Sequence, residues 1–389
     1  MDVISLDKQY VANTYARFPV QIVKGKGAIC YDNNGKKYID LGTGIGVNAF
    51  GFCDKTWVKA VKKQLGKIQH ASNLYYTEPC AKLAELLCTK TGLKKVFFAN
   101  SGAEANECAI KVARKYHEDK TGSKNGKIIT LVNSFHGRTL ATLSATGQDV
   151  FHSLFTPLVD GFIHVENGNI DQLKQVVNDN EISAIMLECV QGEGGVLPVN
   201  DDFITAVKTL CDEKDALLII DEVQTGNGRT GKLYAYMHYG ITPDIVTTAK
   251  GLGGGLPIGA CIIGERAKDV LTPSTHGSTY GGNPIASAGA ISVLERIDDT
   301  VLNEIVSKSN FIVNELTNAK GVISVTGKGL MLGIKTVKPA KDVVNECINK
   351  GVLCLTAKDK VRLLPPLNIP MNILKQAIAT LKEVIAEGL

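Results

Sequence analysis

The sequence predicts an α/β fold with a mostly parallel sheet and helices on both faces. Short apolar runs rich in β-branched residues recur along the chain, and amphipathic stretches such as Phe203 to Cys211 separate them. Alternation of this kind is typical of βαβ units, in which a helix returns the chain to the next parallel strand. The strand-like runs are residues 127–132, 183–187, 217–220 and 244–248.

The two ends of the chain differ from this central part. Residues 27–31 and 37–41 have the pattern of a β-hairpin, and residues 286–389 return to helix, strand and helix. We therefore expect one large domain at residues 55–285. The N-terminal segment 1–54 and the C-terminal part are expected to form a smaller α+β domain together.

Composition excludes several classes of protein. Lys and Arg number 43 against 39 Asp and Glu, and the net charge of +4 is spread without a single-sign block, so neither nucleic acid nor a membrane is expected as a partner. The N-terminus lacks the basic and apolar pattern of a signal peptide, so we expect a cytoplasmic protein. The 10 cysteines include no C-x-x-C pair and the 7 histidines lack the paired spacing of a zinc site, so no metal is expected.

Lys250 is the most informative candidate residue. It follows a β-branched apolar run and precedes a series of glycines, which places its amine at a rigid strand end beside exposed backbone. A lysine that forms a Schiff base would lie in such a place. If this run is considered alone, the alternative is that Lys250 is a solvated lysine in a loop.

Asp221 ends a continuous apolar run at residues 216–220. Such a run indicates a strand buried on both faces of a parallel sheet, and ligands bind at the carboxyl ends of such strands. A buried carboxylate needs a cationic partner, and a protonated pyridine nitrogen is one. The alternative for Asp221 is a role in a helix cap or a salt bridge. Lys250 at the end of the next strand favours a pyridine nitrogen as its partner.

A third candidate element lies at Ser101-Gly-Ala-Glu104, which follows a short apolar strand. The Ser-x-x-Glu spacing is that of a capping box, and apolar residues then recur at helical spacing. The free N–H groups of Gly102 and Ala103 at a helix N-terminus favour a phosphate. An ordinary strand-to-helix turn is the alternative.

Two other motifs indicate nucleotide binding only weakly. Residues 226–232 have the spacing of a phosphate-binding loop, but Leu233 stands where a hydroxyl is needed for Mg²⁺. Gly44-Ile-Gly46 resembles a dinucleotide fingerprint, but no strong amphipathic helix opens from it. We therefore expect neither hydrolysis of a nucleoside triphosphate nor binding of a dinucleotide.

Further motifs occur at Asn100–Asn106, Phe135–Thr139, Glu188–Gly194, Asp221–Gln224, Lys250 and Gly277–Pro284. In these motifs, and over nearly its whole length, the chain resembles the class III (ornithine-type) aminotransferases. The resemblance implies the type I fold of pyridoxal-phosphate enzymes, pyridoxal 5'-phosphate as cofactor, and a homodimer with shared active sites. One departure is the run Gly-Phe-Cys-Asp-Lys at residues 51–55, where the family usually has Gly-His-x-His-Pro.

The resemblance implies a role for each cofactor-binding residue. Lys250 matches the lysine that forms the Schiff base and moves the proton, Asp221 the partner of the pyridine nitrogen, and Gln224 the contact to the phenolic oxygen. Phe135 and Val223 match the side chains that contact the two faces of the ring. Ser101, Gly102 and Ala103 match the phosphate loop, and Thr279 matches a phosphate ligand from the other subunit.

Substrate recognition is implied in the same way. Arg138 and Arg362 match the carboxylate-binding arginines, and a planar guanidinium suits bidentate capture of a carboxylate. Glu193 matches the switch that pairs with Arg362 in one half reaction. Tyr15 matches a residue near the α-substituents of the substrate, and Ser278 is a further candidate substrate contact.

Gly44 bears on substrate choice. It falls where ornithine aminotransferase has a bulky aromatic side chain and 4-aminobutyrate aminotransferase an aliphatic one, so a glycine leaves room for an acylated α-amino group. This favours N-acetylornithine over free ornithine and leaves succinylornithine and N-succinyl-diaminopimelate open.

The expected reaction is transfer of the terminal amine of N-acetylornithine to 2-oxoglutarate. The alternatives are an aminotransferase for succinylornithine, ornithine or 4-aminobutyrate, and an aminomutase or decarboxylase on the same fold. A non-catalytic relative is a third class, and the presence of Lys250, Asp221 and Arg138 together argues against it.

Overall fold

The structure, a computed structural model, describes residues 2–388. Its strands are β1 (Ile22–Lys26), β2 (Ile29–Asp32), β3 (Lys37–Asp40), β4 (Lys95–Ala99), β5 (Lys127–Leu131), β6 (Phe162–Val165), β7 (Ile182–Leu187), β8 (Val190–Gln191), β9 (Leu197–Pro198), β10 (Leu217–Asp221), β11 (Ile245–Thr248), β12 (Gly259–Ile263), β13 (Val322–Lys328), β14 (Met331–Thr336), β15 (Val352–Leu353), β16 (Leu355–Ala357) and β17 (Lys360–Leu363).

The helices follow the same order along the chain. They are α1 (Val3–Tyr10), α2 (Thr43–Gly46), α3 (Lys55–Leu65), α4 (Glu78–Thr91), α5 (Gly102–Thr121), α6 (Leu140–Ala145), α7 (Asp149–His152), α8 (Ile170–Asp179), α9 (Asp201–Glu213), α10 (Pro284–Leu294), α11 (Asp299–Leu316), α12 (Ala340–Asn349) and α13 (Met371–Ala386). Within residues 2–388, no helix combines the length and the apolar character needed to cross a membrane.

The central sheet has seven strands in the order β4-β12-β11-β10-β7-β5-β6. The strands from β11 to β6 are parallel to their neighbours, and β12 is antiparallel to both β11 and β4. The predicted α/β fold with a mostly parallel sheet is therefore confirmed.

Helices cover both faces of this sheet. In β10, Leu217 and Ile219 belong to the apolar cluster that includes α5, whereas Leu218 and Ile220 belong to the cluster that includes Phe203 of α9. Side chains alternate between the two faces of a strand, so a fully buried strand must be apolar at every position. This explains why the strand runs are continuous rather than alternating.

The two ends of the chain meet in a second sheet. Its order is β1-β2-β3-β15, and β15 pairs in parallel with β3 through Val352 opposite Ile39. A third sheet, in the order β13-β14-β17-β16, is built from the C-terminal part alone. The β3–β15 pairing joins the two chain ends in one sheet. The division into a large domain of residues 55–285 and a small domain of residues 1–54 and 286–389 stays a prediction, and Met1 and Leu389 lie outside the described residues.

The turn α2 has an unusual backbone. Thr43, Gly44, Ile45 and Gly46 all have positive φ angles, of 48°, 62°, 64° and 77°. Left-handed conformation is costly for Thr and Ile, so other contacts must hold this turn. Asp40 accepts hydrogen bonds from the N–H groups of Gly42 (2.8 Å) and Thr43 (2.9 Å), and the Thr43 hydroxyl donates to the Leu364 carbonyl (2.6 Å).

Candidate active site

The functional groups lie at the carboxyl ends of four neighbouring parallel strands. Lys250 follows β11, Asp221 ends β10, Glu188 follows β7, and Phe135 lies in the loop after β5. Their side chains line one cavity of about 430 Å³, a volume typical of small-molecule sites. The sequence-predicted residues that line it are Ser101, Gly102, Ala103, Phe135, Arg138, Asp221, Val223, Gln224 and Lys250.

Asp221 is held by three donors. Its Oδ2 lies 2.8 Å from both Asn106 Nδ2 and His136 Nδ1, and its Oδ1 accepts from the N–H of Val223 at 2.9 Å. The residue is only 3% exposed. These bonds stabilise a buried carboxylate and fix its direction, as a partner for a cationic ring nitrogen requires.

Lys250 begins a short 3-10 turn, Lys250–Leu252, directly after β11 and has a φ of 45°. Its side chain lines the cavity, and burial lowers the pKa of its ammonium group, against the opposing effect of Glu193 and Asp221. A lowered pKa makes the neutral amine more accessible, and the neutral amine is the form that attacks a carbonyl.

The loop at the start of α5 forms another wall. The Ser101 hydroxyl caps the helix by accepting from the N–H of Glu104 at 3.2 Å. The Glu104 carboxylate accepts from the N–H of Asn100 at 2.8 Å, one residue earlier than a capping box predicts. At Gly102 an added Cβ would lie 2.6 Å from Val223, so only glycine lets this helix end approach Val223 so closely.

These residues fit pyridoxal phosphate by the chemistry of their donors. The N-terminus of α5, with Gly102 and Ala103 at the cavity, suits a phosphate. Asp221 suits the pyridinium nitrogen and Lys250 the aldehyde. Phe135 and Val223 also line the cavity and offer apolar surfaces to a ring.

Arg362 and Glu193 form an ion pair beside this cavity. Arg362 Nη1 lies 2.5 Å from Glu193 Oε1 and 3.1 Å from Gln224 Oε1, and Gln224 Nε2 lies 3.3 Å from Glu193. Burial raises the pKa of Glu193, but the charge and hydrogen bond of Arg362 outweigh it, so the pKa is lowered overall. Arg362 Nε is buried without a hydrogen-bond partner, which leaves a donor for a ligand carboxylate.

Arg138 lies at the exposed end of the cavity. Its guanidinium stands 4.0 Å from the centre of the Phe151 ring and 5.4 Å from that of Phe135. Stacking on two rings holds the guanidinium plane without using its N–H groups. Those donors therefore remain available to a carboxylate.

Besides Glu193 and Arg362, which lie beside this cavity, four further predicted residues do not line it. Tyr15 is 69% exposed in the N-terminal segment, and Gly44 lies in the left-handed turn with only Val47 and Asn48 near its open side. Ser278 reaches the rim, where its hydroxyl lies 3.3 Å from Asn100 Nδ2. Thr279 is exposed.

Asn106, His136 and Glu188 lie within the motifs named above, but the sequence predicts no role for them. Asn106 and His136 orient Asp221, as described above. Glu188 is buried, and its burial raises its pKa to about 7, helped by the charge of Asp221. Glu188 follows a buried strand just as Asp221 ends one, so the same strand-end rule would have identified it.

Comparison with known proteins identifies the family of this chain. The family model described as Aminotransferase class-III matches residues 10–385. The acetylornithine aminotransferase of Haemophilus ducreyi is 48% identical over 98% of both chains, and that of Methanocaldococcus jannaschii is 44% identical over 99% of this chain and 98% of its own.

Solved structures show the same fold. The N-acetylornithine aminotransferase from Stenotrophomonas maltophilia has a TM-score of 0.86 at 34% identity and covers 99% of this chain and 98% of its own. An ornithine aminotransferase from Toxoplasma gondii, with pyridoxal phosphate at partial occupancy, has a TM-score of 0.94 at 30% identity over 98% and 93%. This chain is a member of the class III aminotransferase family, and its cofactor is pyridoxal phosphate.

Proposed function

We propose that this aminotransferase moves the terminal amine of N-acetylornithine to 2-oxoglutarate, giving N-acetylglutamate 5-semialdehyde and glutamate in arginine biosynthesis. The observation that carries the proposal is the Arg362–Glu193 pair at 2.5 Å beside a cavity that also holds Arg138 and Lys250. An enzyme that accepts both an amine with one carboxylate and an oxoacid with two needs one permanent and one conditional carboxylate site. The names of the similar acetylornithine aminotransferases support the choice of amine.

The reacting groups have separate tasks. Bound pyridoxal phosphate supplies an electron-withdrawing ring that stabilises negative charge on the carbon next to the amine. Lys250 Nζ would take the proton from that carbon and deliver it to the former aldehyde carbon of the cofactor, and it would make the opposite transfer in the second half reaction. Asp221 holds the proton on the ring nitrogen, and its three donors keep it oriented.

Recognition is divided between the two arginines. Arg138 binds the carboxylate far from the reacting carbon, which is the α-carboxylate of the amine substrate, and Arg362 binds the α-carboxylate of 2-oxoglutarate, which adjoins the reacting keto carbon. With the amine substrate, Glu193 neutralises Arg362, so no unpaired charge faces the aliphatic chain. With 2-oxoglutarate, Glu193 moves away and the carboxylate takes its place.

Gly44 supports an acylated substrate. An added Cβ at this position would lie 3.9 Å from Val47 and 4.0 Å from Asn48, so the side-chain position is open. Tyr15 and Ser278 are proposed as further contacts to the substrate.

We also propose a cytoplasmic homodimer in which Thr279 of one subunit binds the cofactor phosphate in the other. Thr279 lies beside Tyr280, which is 61% exposed, and near a segment that exposes Leu74, Tyr75 and Tyr76. Asn73 joins that segment to the loop by donating to the carbonyls of Ser278 (2.8 Å) and Gly281 (3.0 Å). Exposed apolar patches of this kind mark protein interfaces.

The direct test compares kcat/KM for N-acetylornithine, N-succinylornithine, ornithine and 4-aminobutyrate with 2-oxoglutarate as acceptor. We expect N-acetylornithine to be used best. Equal use of ornithine and N-acetylornithine would contradict the proposal. Release of one glutamate for each amine consumed excludes an aminomutase, because a mutase needs no acceptor.

A further inference from the structure

Glu193 lies on a glycine-rich loop whose backbone conformation is only weakly restricted by its own residues. The gate loop, Gly192-Glu193-Gly194-Gly195, follows β8 and contains glycine at every position except that of Glu193, and the buried Val196 then leads into β9. Glycine has the widest backbone freedom of any residue, and Gly195 has a φ of 106°. The position of the Glu193 carboxylate therefore depends on contacts from outside the loop.

Glu188 supplies one of these contacts. It is 4% exposed, and its Oε2 accepts from the N–H of Gly192 at 3.1 Å. Its Oε1 accepts from the N–H of Phe135 at 2.9 Å. One buried carboxylate thus holds the backbone directly before Glu193 and the backbone of a ring-facing residue.

Gly192 is also tied to both members of the ion pair. Its carbonyl accepts from Arg362 Nη1 at 3.3 Å. An added Cβ at Gly192 would lie 2.4 Å from Gln224 Oε1, so the loop backbone packs directly on the side chain that bonds Glu193 and Arg362. A displacement of Gly192 therefore changes the distance between Glu193 and Arg362.

We propose that Glu188 is a positioning residue for this gate. It holds Gly192 so that Glu193 pairs with Arg362, and loss of one of its two acceptor oxygens lets a dicarboxylate displace Glu193 more easily. The inference rests on the gating role proposed above for Glu193. It assigns Glu188 no contact with the reacting atoms.

The test is binding of glutarate, an unreactive five-carbon dicarboxylate, measured by calorimetry on both the cofactor-loaded and the cofactor-free protein. Glu188→Gln keeps the shape of the side chain but replaces one acceptor oxygen with an NH₂ group that cannot accept. Glu222→Gln is the matched control. Glu222 is equally buried, it follows Asp221 in the chain, and its oxygens accept from the Thr225 hydroxyl (2.6 Å) and the N–H of Tyr236 (2.8 Å).

We expect Glu188→Gln to bind glutarate at least about threefold more tightly and Glu222→Gln to bind it as the wild type does. Glu193→Ala should also tighten binding, and Glu188→Gln should add nothing further in that background. The inference would be overturned if the fold-changes in glutarate affinity of Glu188→Gln and Glu193→Ala multiplied in the double variant. Equal effects of Glu188→Gln and Glu222→Gln on glutarate affinity would also overturn it.

Two outcomes separate this inference from the proposed function. If Glu193→Ala leaves glutarate affinity unchanged, the gate is wrong and the role of Glu188 falls with it. If Glu193→Ala tightens binding but Glu188→Gln does not, only the inference fails. Glu188→Asp, which retracts the carboxylate while keeping its charge, gives the same test with the same expected direction should Glu188→Gln fold poorly.

Discussion

The floor and the rim of the cavity are built differently. The floor consists of Asp221, Lys250 and their neighbours at strand ends of the seven-stranded sheet, where Asp221 is 3% exposed and has three donors within one chain. The proposed contacts Tyr15, Gly44 and Thr279, called the rim here, do not line the cavity and lie on segments outside that sheet. The difference teaches that strand ends of the sheet, with donors from α5 and from the loop after β5, position the reacting groups within one chain. Recognition instead uses loops that a second copy of the chain completes under our proposal.

The largest effect is expected at the floor. Lys250→Ala removes the amine that moves the proton, so kcat should fall roughly 10⁴-fold or more. Borohydride reduction should fix the cofactor to the wild-type chain and not to the variant. Lys95→Ala, at the exposed start of β4, is the control that should keep full activity, and cofactor still fixed to the Lys250→Ala chain would contradict the assignment.

Asp221→Asn should lower kcat by roughly 10²- to 10³-fold, since an amide cannot hold a proton on the ring nitrogen as a carboxylate does. Single-turnover rates of both half reactions should fall together, because the ring serves both. A loss confined to one half reaction would mean that Asp221 acts on substrate binding instead.

At the rim, substitutions should change specificity more than rate. Gly44→Tyr should lower the ratio of kcat/KM for N-acetylornithine to that for ornithine by about tenfold or more, because the side chain occupies the space of the acyl group. Gly44→Ala is the control, since it shares the strain of a φ of 62° without the bulk. Equal ratios in the two variants would remove Gly44 from substrate choice.

Thr279→Ala should weaken cofactor binding by about tenfold, the loss expected for one hydrogen bond to a charged phosphate. Its kcat at saturating cofactor should stay close to that of the wild type, because the floor is unchanged. Fluorescence titration of the cofactor-free protein measures the affinity, and an unchanged affinity would place Thr279 outside the site.

The smallest effect concerns a buried acid behind the floor. Burial raises the pKa of Glu222 from 4.5 to about 7. Between pH 4.5 and about 7 the folded protein therefore keeps a proton on Glu222 that the unfolded chain has lost. The stability that the protonated Glu222 contributes is complete below the unfolded pKa, and it is lost as the pH rises through about 7. In Glu222→Gln the melting temperature should fall less steeply over this range than in the wild type. An identical slope would mean that Glu222 does not titrate there.

The floor was largely predictable from sequence, and the rim was not. Continuous apolar runs ending in Asp221 and preceding Lys250 predict adjacent strand ends, because the carboxyl ends of parallel strands share one edge. The donors to Asp221 could not be predicted, since Asn106 comes from α5 and His136 from a separate loop. The turn at Gly44 could not be predicted either, because Ile45 in left-handed conformation contradicts its own propensity and tertiary contacts hold it.

Subunit mixing tests the division between floor and rim most directly. Chains carrying Lys250→Ala and chains carrying Thr279→Ala are mixed, and activity is measured at a cofactor concentration that saturates only wild-type sites. If Thr279 serves the partner's site, each mixed dimer contains one site with Lys250 and Thr279 both intact, and the mixture should be more active than the average of the two parents at the same total chain concentration. Absence of any gain, with mixed dimers demonstrated by mass spectrometry, would contradict the account.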